Sequence, residues 1–443
     1  MKKVRIITFC DSLENYGQVL QAFALQRFLR NHYADLDIKV LYMSPFGVAS
    51  QTKPLKRTLF AVFLAHFKTL RRYFNAYILC LDKYDKRLKH DKNEALKKAM
   101  REVLCEVGLN RNPADESKIK MLNEKREFEA FKRKYIALHS EELQGFFGTF
   151  TPEMEADCYI VGSDQVWNTW GGDDLWYANF YTLDFLPPNH KSRKISYAAS
   201  FGRENLKSEC EKEYFKKALA KFNAISVRES CNIATLNEIG LKSICVPDPS
   251  QLLRNSDYEK LIDESIKNGN LDLRISDGKV RENSVFVYML GNETSMNKNK
   301  VMTHLENLAQ KAGQSVIYTN AGVDFSCAWD YKSDFAPTIE EWLACVRDCR
   351  VLITNSFHGC AFAIVMGTPF VALKLGGKKV WGAMNTRFYQ LLGLFNLQHR
   401  LVDNLRDLEA QINTPIDFDS VNKKLESWRK VGVEFLGENL TNL

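Results

Sequence analysis

The sequence predicts an α/β protein: two doubly wound domains facing a cleft, with a basic helical insertion in the first. Three observations predict it. Short, nearly continuous apolar runs of strand length recur along the chain, stretches of helical periodicity separate them, and one segment departs from both patterns by its charge. With 443 residues, 45% hydrophobic and 12% aromatic, the chain has material for two or three cores.

The opening "KVRIITFCDSLENYGQVLQAFALQRFLRNHYADLDIKVLYMS" gives a β-branched strand at 4–9, a polar loop, an amphipathic helix at about 18–31 and a second strand at 38–43, which is a βαβ unit. From Thr52 to about Lys134 the pattern changes to helices dense in Lys, Arg and aromatics. Residues 51–140 hold 22 Lys and Arg against 11 Asp and Glu, so of the formal charge of +7 the remainder carries −4 and the basic character belongs to this insertion. Strands then return in "DCYIVGS" (157–163), "KISYAAS" (194–200) and "AISVRES" (224–230), with the helical stretch "SECEKEYFKKALAKF" among them.

After "ICVPDPSQLL", where two prolines flank Asp248, a second alternation begins: strand "SVFVYML", helix "NKVMTHLENLAQKAG", strand "SVIYTN", helix "TIEEWLACVRDC", strand "VLITN", a helix, and strand "FVALKL". The expected organisation is a first domain over 1–242 that includes the insertion, a second over 243–418 that binds the donor, and a C-terminal helix over 419–443 that packs back on the first.

No stretch approaches the roughly 18 apolar residues of a spanning helix, and "MKKVRIITFCDS" lacks the apolar core and cleavage site of a signal peptide, so a cytoplasmic location is expected. The 11 cysteines include no C-x-x-C pair. Cys345 and Cys349 lie one helical turn apart, and buried small hydrophobes in a reducing compartment are expected rather than a metal or disulfide site. Within residues 51–80, "LFAVFLAHFKTLRRYF" alternates apolar blocks with cations, as a segment in peripheral contact with anionic membrane does; a solvated helical cap is the alternative. No recognised nucleic-acid motif accompanies it, and no nucleic-acid partner is expected.

In open parallel sheets ligands sit beyond the carboxyl ends of the strands, where helix N-termini point unpaired N–H groups into the crevice. The strand "VLITN" ends there, and "SFHG" leads into an apolar helix. Ser356 is placed to cap it, Gly359 to let a ligand approach the backbone, and His358 to face the crevice as an anion contact. Downstream, "KLGGKKVWGAMNTRFYQLLGLF" adds Lys374, Lys378, Lys379 and Arg387, one of which is expected to reach the same crevice as a phosphate partner; solvated lysines are the alternative.

Arg228 follows an apolar run, where an unpaired guanidinium is expensive to bury. A bidentate ligand carboxylate would justify it, and so would a salt bridge with Glu229 or another acid. "YIVGSDQVWN" offers Asp164, Gln165, Trp167 and Asn168, a carboxylate, two amides and an indole that suit a sugar; a capping Asp164 and a core Trp167 are the alternative. Asn15, Tyr16 and Gly17 before the first helix add a further hydroxyl or phosphate site, a weak signal alone because no G-x-G-x-x-G is present.

Taken together and in this order, "NYGQVLQAFALQ", "YIVGSDQVWN", "KISYAASFG", "ISVRES", "VPDPSQLL" and "ITNSFHGCAFAIVMGTPFVAL" followed by "NTRFYQLLGL" resemble the polysaccharide pyruvyl transferase family. The resemblance implies two Rossmann-like domains similar to the GT-B glycosyltransferases. It also implies transfer of a pyruvyl group from phosphoenolpyruvate to a saccharide, lipid-linked or part of a polysaccharide, as a cyclic ketal and without a cofactor.

By position the family's arginine, histidine and lysine fall on Arg228, His358 and Lys378, which the resemblance implies as contacts to the carboxylate and phosphate of the donor. Several members have an arginine where this chain has Ser356. His358 is then assigned as acid or phosphate ligand, Arg228, Lys378, Ser356, Gly359 and Arg387 as donor contacts, and Asp164 as acceptor-hydroxyl contact or base. Asn15, Tyr16, Gly17, Gln165, Trp167 and Asn168 are assigned to the acceptor. No metal is required, because fixed cations neutralise a leaving phosphate. The alternatives are a nucleotide-sugar glycosyltransferase and a non-catalytic saccharide-binding protein.

Overall fold

The computed structural model describes residues 1–41, 43–44, 113–139, 143–144, 150, 152–169, 176–206, 208–267, 284–290, 294–321, 335–376, 382–441 and 443. Of the basic insertion, the helices Pro113–Arg126 and Phe128–Tyr135 are described; residues 51–80, with the membrane contact expected there, lie outside the described residues. Among the described residues no helix is long and apolar enough to cross a membrane.

The first sheet is parallel throughout. β1 (Lys2–Ile7), β2 (Leu36–Val40), β3 (Cys158–Val161) and β4 (Arg193–Ser196) lie in the order β2-β1-β3-β4, with Val4 beside Cys158 and Cys158 beside Arg193. Isolated bridges from Ile195 to Ala224 and from Ala199 to Val227 continue it to β5 (Ser226–Val227), which pairs with β6 (Ile244–Cys245). Because successive side chains point to opposite faces, Val4, Ile6, Cys158 and Ile160 enter one apolar core while Ile7, Tyr159 and Val161 enter another. Both faces are therefore covered, which is why these strands read as unbroken apolar runs. β5 and β6 form a two-stranded pair of their own, and the expected boundary at 242 falls just before β6.

The second sheet repeats the logic with β7 (Ser284–Leu290), β8 (Ser315–Ala321), β9 (Val351–Thr354), β10 (Phe370–Leu373) and β11 (Leu401–Val402), all parallel, in the order β8-β7-β9-β10-β11. In each sheet the second strand lies outside the first and the third lies on the first one's other side. The order therefore reverses between β1 and β3 and between β7 and β9, the positions where open parallel sheets of this kind bind their ligands.

Helix α1 (Tyr16–His32) follows β1, is capped by Asn15, whose side chain accepts from the Gln18 N–H, and buries most of its length. Helix α2 (Phe357–Met366) follows β9 and is buried from Phe357 through Val365, so its sequence is apolar all round. Asn355 at the end of β9 accepts from the Leu290 N–H at 2.6 Å and donates to the Leu290 carbonyl at 3.0 Å, which ties together the two strand ends that flank the second reversal.

The C-terminal helix α3 (Phe418–Leu440) buries Val421, Leu425, Arg429, Gly432, Phe435, Leu436, Asn439 and Leu440, one helical stripe. Arg429 donates to the carbonyls of Gln251 and Leu253, and Arg193 of β4 donates to Asn439. Gly432 lies where a methyl group would stand 2.5 Å from the Tyr197 hydroxyl and 2.9 Å from Leu252 and Pro247. Gly432→Ala should therefore lower stability by about 1–3 kcal/mol in urea denaturation despite alanine's better helix propensity. A neutral or stabilising change would mean that this packing does not hold.

Candidate functional site

Every charged group of the site lies beyond a strand's carboxyl end. Asp164 follows β3, Arg228 and Glu229 follow β5, Asp248 follows β6, His358 follows β9 in the first turn of α2, and Arg387 lies in helix α4 (Thr386–Leu394), after β10. All six are buried.

Asp248 gathers them. Its carboxylate accepts from the Ser163 hydroxyl at 2.6 Å, from Arg228 Nη1 at 3.1 Å, and from both the N–H and the hydroxyl of Ser250, as the cap of the short helix Pro249–Leu252. His358 Nε2 stands 3.6 Å from the same carboxylate, an ion-pair distance rather than a hydrogen bond. Burial alone would push the Asp248 carboxyl up. The attraction of His358 and Arg228, with the Ser163 hydrogen bond, outweighs it and holds the group well below the usual carboxylate range. Nothing in the spacing of "VPDPS" marked this residue as more than a turn.

Arg228 is satisfied on two of its three nitrogens. Nε donates to Glu229 at 3.0 Å and Nη1 to Asp248, with Asp164 3.7 Å from Nη1 and the Phe357 ring 4.2 Å from the guanidinium carbon. Burial opposes its charge, and Glu229, Asp164 and Asp248 together reverse that and raise its pKa. The expected two-pronged grip on a ligand carboxylate is not available: only Nη2, buried and without a hydrogen-bond partner among the described residues, is left. Salt bridges with Glu229 and Asp248 account for the other two nitrogens.

Arg387 is different. It is 6% exposed, its Nε makes a long contact of 3.4 Å to the Met384 carbonyl, and among the described residues no carboxylate pairs with it. Burial, and then the charge of Arg228, push it down to about 10, against the pull of Asp164 and Glu229. Neighbouring Asn385 fixes the start of α4 by exchanging two hydrogen bonds with the Leu375 backbone. The Nε2 of His358 is also buried and makes no hydrogen bond among the described residues, though Asp248 stands 3.6 Å away; with Arg387 and Nη2 of Arg228 it makes a set of cationic and N–H groups with few acceptors among the described residues. An anion is the ligand such a set can hold.

The remaining expected residues divide. Asp164 lies in the left-handed region at φ +71°, and its carboxylate accepts from the Gln165 N–H at 2.9 Å, so the strained turn after β3 aims it at Arg228. Gln165 and Asn168 are buried and bonded to one another, Nδ2 of Asn168 donating to Oε1 of Gln165 at 2.6 Å. Trp167 is corrected: the indole is fully buried against Phe201, Phe215 and Phe222 and donates to the Tyr181 carbonyl, so it offers no stacking face to a sugar.

Tyr16 is corrected likewise, being fully buried and bonded through its hydroxyl to the Pro337 carbonyl at 2.7 Å. Asn15 caps α1, and Gly17 lies under His358 rather than open to an acceptor. Ser356 caps α2 by accepting from the Gly359 N–H at 3.3 Å. At Gly359 a methyl group would meet Thr354 Oγ1 at 2.6 Å, which by itself calls for glycine there. Lys374 extends to Asp403, 3.5 Å away, and Lys378 and Lys379 lie outside the described residues.

A family model described as polysaccharide pyruvyl transferase matches residues 15–375, which spans the site from Asn15 to beyond β10. No curated protein matches the chain. Solved structures similar to it include the UDP-GlcNAc 2-epimerase of Methanocaldococcus jannaschii, at 10% identity over 99% of this chain and 100% of that one with a TM-score of 0.46. The UDP-GlcNAc 2-epimerase of Neisseria meningitidis bound to UDP-GlcNAc is 10% identical over 99% and 100%, with a TM-score of 0.41. A Medicago truncatula protein complexed with UDP-glucose is 10% identical over 97% and 94%, also at 0.41.

The depressed Asp248 carboxyl gives a pH prediction. Its contribution to stability is complete above the unfolded value of about 4 and fades as pH falls below it. Asp248→Asn should therefore cost stability at pH 7 and flatten the fall between about pH 5 and pH 2 in denaturant titrations. A variant whose stability tracks the wild type through that range would contradict the assignment.

Proposed function

The chain belongs to the polysaccharide pyruvyl transferase family, a family of transferases, and from that premise we propose that it moves a pyruvyl group from phosphoenolpyruvate onto two hydroxyls of a saccharide as a cyclic ketal. The observation that carries this reading is Arg387, a buried guanidinium with no carboxylate pair among the described residues, beside the spare Nη2 of Arg228 and Nε2 of His358. A cation held in that way is costly unless a ligand anion joins it. Phosphoenolpyruvate brings two anionic groups on a small frame. Where Ser356 replaces the arginine of several relatives, Arg387 offers a guanidinium from the next helix.

The reaction fits these groups. A proton delivered to the methylene carbon makes C2 electron-poor, and one sugar hydroxyl bonds to it and gives up its own proton. The second hydroxyl then forms the other C–O bond and passes its proton to the phosphate, which leaves with the electron pair of the broken C–O bond. In this reading His358 is the proton donor, Arg387 and Arg228 Nη2 hold the donor's anionic groups, and Asp164 is the contact for the attacking hydroxyl. The saccharide, free or lipid-linked, approaches from the turn after β3, and envelope or exopolysaccharide synthesis is the setting that chemistry serves.

Two measurements test this. In titration calorimetry phosphoenolpyruvate should bind the wild type and bind Arg387→Ala about 10- to 100-fold more weakly, the loss of a charged hydrogen-bond pair; a uridine-diphosphate sugar should not bind. Equal binding by the variant, or binding of the nucleotide sugar alone, would overturn the donor. His358→Ala should slow ketal formation by at least about 100-fold while leaving donor affinity within a few fold. Unimpaired turnover would remove His358 as the acid.

A further inference from the structure

The segment Asn15-Tyr16-Gly17, where helix α1 begins, meets the site from the first sheet's side. Asn15 caps the helix through its side chain, fixing where α1 starts. Tyr16, the next residue, is locked between the two sheets. Its hydroxyl donates to the Pro337 carbonyl just before the helix that carries Trp342. Its ring stacks on Trp342 at 5.2 Å with 11° between planes and lies edge-on to Tyr288 of β7 at 5.7 Å. Gly17 then faces His358. A methyl group on its α-carbon would overlap Cβ, Cγ and Nδ1 of His358. The imidazole therefore rests on the bare backbone of α1, while its other nitrogen faces Asp248.

We propose that Gly17 is a positioning residue for His358: the missing side chain at the second residue of α1 is the seat of the imidazole, and Asn15 and Tyr16 hold that seat in place. The reading rests on His358 as the proton donor, and it reassigns the tripeptide from an acceptor contact to a joint between the sheets. Glycine in a helix's first turns is poorer than alanine by propensity, so its presence needs a local reason, and this overlap supplies one. A displaced imidazole loses its reach to the methylene carbon but leaves Arg387 and Arg228 where they are. The effect therefore falls on turnover and not on donor binding.

The test is a double-mutant cycle between Gly17→Ala and His358→Gly; glycine is needed at 358 because the overlap includes the histidine's own Cβ. In the wild-type background Gly17→Ala should lower the melting temperature, and in the His358→Gly background it should raise it, as a helix gains alanine with nothing in its way. Folded Gly17→Ala should show turnover reduced about 100-fold with phosphoenolpyruvate affinity within threefold of wild type, and adding His358→Ala should reduce it little further.

A shift of the same sign in both backgrounds would overturn the contact. Wild-type turnover in a folded Gly17→Ala protein would overturn the positioning role even if the contact stands. The melting cycle needs no turnover, so it decides the contact even if phosphoenolpyruvate proves not to be the donor.

Discussion

Two buried guanidiniums, Arg228 and Arg387, set the terms for everything around them. Taking such charges out of water costs several kcal/mol each unless partners replace the solvent. Arg228 receives Glu229 and Asp248 as direct partners, Asp164 nearby and the Phe357 ring above it. Arg387 receives none of these carboxylates at bonding distance, and among the described residues no carboxylate pairs with it. Arg228 directly follows β5 and Arg387 lies in the first turn of α4, both at the edge of the strand-lined cores.

The two sheets contribute unequally to this arrangement. The first, with the β5–β6 pair bridged to it, supplies Asp164, Arg228, Glu229 and Asp248; the second supplies His358 at its reversal point and Arg387 one strand later. Asp248 spans the division, since one carboxylate faces Arg228 from one sheet and His358 from the other. The aromatic stack of Tyr16 on Trp342 and the C-terminal helix against Tyr197, Pro247 and Leu252 bring further fixed points. A proton donor and an anion seat drawn from different sheets need such anchorage, because a displacement of about 1 Å is enough to weaken catalysis.

Much of this was legible in the sequence. Runs covered on both faces, such as Ser284–Leu290 and Val351–Thr354, declare themselves as parallel strands, and their ends point to His358, Arg228, Arg387 and Asp164. Ile244–Cys245 and Leu401–Val402 were missed because two paired residues carry no periodicity. Asp248 was missed because a capping aspartate between prolines looks like any turn; its role lies in Arg228 and His358, 20 and 110 residues away. Trp167 and Tyr16 misled for the converse reason. An aromatic beside polar residues reads as a displayed ring, while the partners that bury it, Tyr181 and Pro337, come from elsewhere in the chain.

The account stands on an anion seated between Arg387 and Arg228 Nη2, with His358 beside it as the proton donor. A crystal structure of the protein grown with phosphoenolpyruvate tests it most directly. The account predicts one anionic group within about 3 Å of the Arg387 guanidinium and of Arg228 Nη2, with the methylene carbon facing the His358 ring. Donor density elsewhere, or Arg387 engaged by a protein carboxylate with the donor absent, would contradict it.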